Sequence, residues 1–134
     1  MEVRIHKRAD EDVAALVNWS HIEPYWLKSN FALLNRDMLV DTYSALWFDR
    51  TKSIFQVGEI FLQQKDSGDD VIMFCNGRHR TNLIIKHQQN LVPIAFQGGV
   101  PNHSAIQNAI VRELAEGEVV SIPDLPIMDK VNHT

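Results

Sequence analysis

Residues 71–96 constrain the fold more tightly than any other part of the chain, because they punctuate apolar runs with turn residues at short intervals. Val71-Ile72-Met73-Phe74-Cys75 is too short an apolar run for a free-standing helix and predicts a buried strand. Asn76-Gly77 is a turn signal. Thr81 to Gln89 then supports a helix with Leu83, Ile84 and His87 on neighbouring faces. A second short strand follows at Val92 to Phe96, where Pro93 implies an edge position or an unpaired amide. A strand-turn-helix-strand unit of this kind predicts an α+β fold, a small mixed sheet packed by helices.

Elsewhere, Val3 and Ile5 alternate with charged neighbours and predict a strand, while Asp10 is placed to cap a helix whose Val13, Leu16 and Val17 share a face and which Trp19 closes. His21 to Leu39 reads as turns, short helices and core aromatics, with Pro24, Tyr25, Trp26, Phe31, Leu33, Leu34 and Met38 following no clean period. Leu39 to Trp47 reads as a helix or an irregular connection. Val57, Ile60 and Phe61 give a helical face ahead of a turn over Asp66 to Asp70. Ile106, Ile110 and Leu114 recur four apart and predict a helix from His103 to Glu116, stopped by Gly117, with Arg112 and Glu116 facing each other. Val119, Val120 and Ile122 make a last strand before Pro123 and Pro126. With 134 residues, 45% of them hydrophobic, and no internal repeat, one domain over 1–134 is expected.

Cys75 is the one cysteine, which excludes an intrachain disulfide and a four-cysteine zinc knuckle and fits a reducing compartment. Met1-Glu2-Val3-Arg4 opens no signal peptide and no apolar run reaches about 18 residues, so a cytoplasmic chain without a membrane span is expected. The net charge of -4 disfavours a surface that coats polyanions. That charge is unevenly placed: from Val71 to Arg112 there is no acidic residue, while Arg78, Arg80, Lys86 and Arg112 are positive. A local anion site suits this segment, and so does a solvated helix face.

The turn between strand and helix is where such a site belongs. Asn76 organises the entry, Gly77 permits a turn that a Cβ would resist, and the first helical amides carry partial positive charge. Arg78, Arg80 and Thr81 add charged and hydroxyl donors, and His79 binds phosphate or moves a proton near neutral pH. Asn76, Gly77, Arg78, His79, Arg80 and Thr81 are therefore the candidate phosphate- or nucleotide-binding residues. A structural turn is the competing reading, since arginines at i and i+2 point apart on a helix.

The stretch VIMFCNGRHRTNLIIKHQQNLVPIAF, residues 71–96, resembles the ParB/sulfiredoxin-like superfamily, whose members place a Gly-x-His-Arg motif before a short strand that often begins Val-Pro. Within it the chain looks closest to the plasmid fertility inhibition factors, which carry Gly-Arg-His-Arg and are implicated in suppressing transfer of a co-resident conjugative plasmid. The resemblance covers about one-fifth of the chain, and outside it only Gly58 to Leu62 fits, loosely, as the preceding helix. It implies that Gly77, His79 and Arg80 sit at a nucleotide-phosphate pocket, that ATP or another nucleoside triphosphate with magnesium is the cofactor, and that a protein partner mediates interference with conjugation. Sulfiredoxin chemistry needs a cysteine where Arg78 stands, and guanidinium is no nucleophile. A full ParB partition protein would need more chain than this.

Other chemistries are weaker. Cys75 and Arg80 enclose four residues, where a cysteine phosphatase loop encloses five, and Cys75 is expected to be a small buried hydrophobe. Cys75, His79, His87 and His103 match no zinc spacing. Glu59, Asp66, Asp69 and Asp70 can hold magnesium or activate water in a nucleotidase or DNase, or can be turn and surface residues. Trp19, Trp26 and Trp47 offer stacking platforms for single-stranded nucleic acid, but apolar neighbours favour core positions. Ile106, Ile110 and Leu114 equally suit a core face or a dimer seam. A nonenzymatic protein-interaction module is the remaining alternative.

Overall fold

The computed structural model describes residues 1–28, 43–44, 48–49, 54–87, 90–124 and 127–128. The architecture is α+β, a small system of mixed sheets packed against helices. The strands are β1 (Glu2–His6), β2 (Val13–Asn18), β3 (Tyr43–Ser44), β4 (Phe48–Asp49), β5 (Ile54–Gln56), β6 (Gly58–Gln64), β7 (Asp70–Asn76), β8 (Leu91–Phe96), β9 (Ile110–Leu114), β10 (Val119–Ser121) and β11 (Ile127–Met128). Among the described residues the helices are α1 (Trp19–Leu27), α2 (Arg78–Lys86) and α3 (Ser104–Ala109). A five-stranded sheet runs β7-β6-β8-β2-β9, a four-stranded one runs β10-β1-β5-β4, and β11 pairs with β3. One apolar cluster joins the two larger sheets, with Val3, Ile5, Phe55 and Val120 from one and Val17, Ile60, Ile72 and Ile94 from the other. Among the described residues no helix is long and apolar enough to cross a membrane.

Three helices expected from the sequence are strands or partly strands. Val13 to Val17 lies in β2, between β8 and β9, with Ala14, Ala15 and Val17 buried; Asp10 sits in the preceding turn and caps nothing. Ile60 and Phe61 lie in β6, and Val57 in the link before it. The third splits: the helix ends at Ala109 and the chain straightens into β9 at Ile110. Arg112 then pairs with Glu118 across the following turn, not with Glu116, which instead pairs with His6. Conversely, α1 forms around Pro24. The helical hydrogen bond lost at a proline costs about 3 kcal/mol, which the burial of Trp19, Ile22 and Trp26 on one face offsets.

The segment that most constrained the fold behaves as read, with shifted ends. β7 runs antiparallel to β6, with a bulge between Glu59 and Ile60, and β8 is interior to the sheet. Its ladder to β6 begins only at Ile94, so Pro93 faces β2 alone. The helix starts at Arg78, three residues earlier than Thr81, because Gly77 itself makes the turn at φ 81°. Phe31, Leu33, Leu34, Met38 and Trp47, expected among the core aromatics, turns and short helices of residues 21–47, lie outside the described residues.

Candidate functional site

Gly77 ends β7 and opens α2, and no side chain caps the first turn of the helix. The Thr81 hydroxyl donates instead to the Gly77 carbonyl at 2.8 Å, as does the Thr81 amide at 3.0 Å. Gly77 also lies against Gly58 at the start of β6. A Cβ on Gly77 would stand 2.6 Å from the Gly58 Cα and 2.7 Å from the Arg80 guanidinium carbon, and a Cβ on Gly58 would overlap the Thr81 hydroxyl. Positive φ and close backbone approach thus both demand glycine at 77.

Of the six candidate residues the structure brings four together. Asn76, Gly77, Arg78 and His79 line a small cavity of about 200 Å³ with Phe74 and Cys75. Arg80 and Thr81 point elsewhere. Arg80 is 3% exposed; its Nε donates to the Gln56 carbonyl at 2.6 Å and Nη2 to that of Val57 at 3.3 Å, so the guanidinium braces the link between β5 and β6 beneath Gly77. Thr81 is buried and spent on Gly77. Of the lining residues, Arg78 and His79 are half-buried, and Arg78 Nε and His79 Nδ1 are buried atoms with no hydrogen-bond partner. Partial burial, and next the Arg78 charge, hold the His79 pKa below its ordinary value.

Behind the cavity sits a pair of acids of which the sequence singled out only one. Asp12 and Glu59 are 2% and 3% exposed and hydrogen-bond to each other. Asp12 Oδ1 accepts from the Gly98 amide at 3.1 Å, whereas Asp12 Oδ2 and Glu59 Oε1 accept no hydrogen bond; Arg8 Nη1 stands 3.7 Å from Oε1. Burial first, then the hydrogen bond and charge of Asp12, raise the Glu59 pKa against the opposing charges of Arg8 and Arg80. Glu59 lies on a strand, not on the expected helix. Asp12 carried no sequence signal, because it reaches Glu59 only through the turn that closes Asp12 N on Ala9 O.

Cys75 is exposed, not a buried hydrophobe, because the last residues of β7 form the sheet's edge at the cavity. Its thiol donates to the Glu59 carbonyl at 3.5 Å, and partial burial plus the Glu59 charge push its pKa up. A thiol held protonated is a poor nucleophile. Asp70 is engaged by His103, whose Nε2 lies 3.3 Å away while Nδ1 caps α3 by accepting from the Ile106 amide. Trp19 and Trp26 are buried against Phe74 at ring distances of 6.0 and 5.9 Å. The described residues contain no group of three or more His, Cys, Asp or Glu arranged to hold a metal ion. Comparison with protein-family models, curated proteins and solved structures gives no match to this chain.

Proposed function

We propose that this is a cytoplasmic protein that binds an anion, a phosphate or the phosphate of a nucleotide, in the cavity formed by Asn76, Gly77, Arg78 and His79. The observation that carries the reading is the unpartnered Arg78 Nε donor, with the unpartnered His79 Nδ1 next to it in the chain, beside a helix start that no side chain caps. Buried polar groups without partners are costly, and an oxyanion at a helix N-terminus supplies acceptors to such donors. The resemblance of residues 71–96 to fertility inhibition factors extends the proposal to interference with plasmid transfer through a protein partner.

A second reading, a nonenzymatic interaction module that keeps the motif as a structural brace, is favoured by the engagement of Arg80 with Gln56 and Val57. Sulfate, whose charge is fixed between pH 6 and 8, separates the two by calorimetry. Arg78→Ala is expected to weaken sulfate binding by about 1.5–3 kcal/mol, the range for hydrogen bonds to charged groups. Since the His79 pKa is lowered in the free protein and an anion favours the protonated form, binding tightens as pH falls from 8 to 6, and His79→Gln removes that slope. Equal affinity in folded Arg78→Ala and parent favours the interaction module.

A further inference from the structure

The cations of the acid-free segment do not converge. Arg80 is committed to backbone carbonyls beneath Gly77, Arg112 is paired with Glu118, and Lys86 ends α2, at the opposite end of the helix from the cavity. Arg78 alone of the four lines the cavity and has no ion-pair partner among the described residues. The remaining electropositive groups there are the His79 imidazole and the helix N-terminus, the latter equivalent to roughly half a charge. A nucleoside triphosphate with its three linked phosphoryl groups asks for more compensation than one guanidinium, one imidazole and a helix terminus supply. Size points the same way: about 200 Å³ is below the range of roughly 300–1,000 Å³ for pockets that enclose a drug-sized ligand.

From these observations, and resting on the anion-binding reading above, we infer that the cavity recognises a single terminal phosphoryl group, that of a phosphomonoester or of inorganic phosphate, and not the triphosphate chain of a nucleotide. Cys75 and Phe74 line the same recess, so the ester carbon leaves past an apolar wall while the phosphoryl oxygens take Arg78, His79 and the α2 amides. Buried Arg80 is the feature that sets the limit, because a second free guanidinium at this turn would be the natural partner of a second phosphoryl group.

Calorimetric titration of the full chain with inorganic phosphate, AMP, ADP and ATP, all without magnesium and at one ionic strength, tests this. Phosphate and AMP are expected to bind within about fivefold of ATP, and Arg78→Ala to weaken phosphate and AMP at least tenfold while an unchanged thermal midpoint reports intact folding. Arg78→Lys, which keeps the charge but not the planar fork, is expected to recover part of the loss. Affinity rising tenfold or more from AMP to ATP, with loss in Arg78→Ala, overturns the single-phosphoryl assignment and leaves the anion site standing. No binding by any member, or binding indifferent to Arg78→Ala, overturns both.

Discussion

Arg80 is 3% exposed, carries a full charge and donates to the neutral carbonyls of Gln56 and Val57, and its charge reaches the buried Glu59 carboxyl. Asp12 lies beside Glu59, and burial first, then the hydrogen bond and charge of Asp12, outweigh the Arg8 and Arg80 charges and raise the Glu59 pKa. The consequence for stability has a definite sign. The folded chain binds the Glu59 proton more tightly than the unfolded chain, so stability falls as pH rises from the ordinary value of 4.5 through the native value, and the cost persists above it. Glu59→Gln carries no ionisable group, so its urea midpoint should vary less between pH 4.5 and 8 than that of the parent. An unchanged pH slope in the variant would mean that folding does not raise the Glu59 pKa.

At the scale of elements, the junction of β7 and α2 is fixed by backbone contact. Gly77→Ala must hold an alanine at φ 81° and place its Cβ 2.6 Å from the Gly58 Cα, so the expected loss is about 3 kcal/mol, read from chemical denaturation. A loss under about 0.5 kcal/mol would show that β6 and α2 are not locked together there. That junction was legible in the sequence because Asn76-Gly77 is punctuation that no periodicity can mimic. The strands β2, β6 and β9 were not legible, for a common physical reason. Positions four apart share a face in a strand of period two as they do in a helix, so Ile110 and Leu114 fit either element. Strands covered on both faces also lose their alternation, which leaves Val13, Leu16 and Val17 looking helical although they lie on a strand interior to a sheet, between β8 and β9. The site was half legible: Asn76 to His79 follow from the turn, whereas the inward course of Arg80 depends on carbonyls more than 20 residues earlier in the chain.

For the whole molecule, the packing of β5 and β6 against the start of α2 divides the Gly-Arg-His-Arg motif into two jobs. Arg80 ties the sheet to the helix, and Arg78 and His79 are left facing the cavity. The charge distribution agrees with a local function: the chain is acidic as a whole, at -4, and keeps acids out of the 71–112 stretch without gathering its cations into a polyanion surface. Amide and arginine-side-chain NMR during a phosphate titration tests this division most directly. The account predicts saturable shifts of the Gly77, Arg78 and His79 amides, with the Arg80 Nε–H signal staying at its free position because it remains bonded to the Gln56 carbonyl. Movement of the Arg80 Nε–H signal with phosphate, or no movement of the three amides, would contradict it.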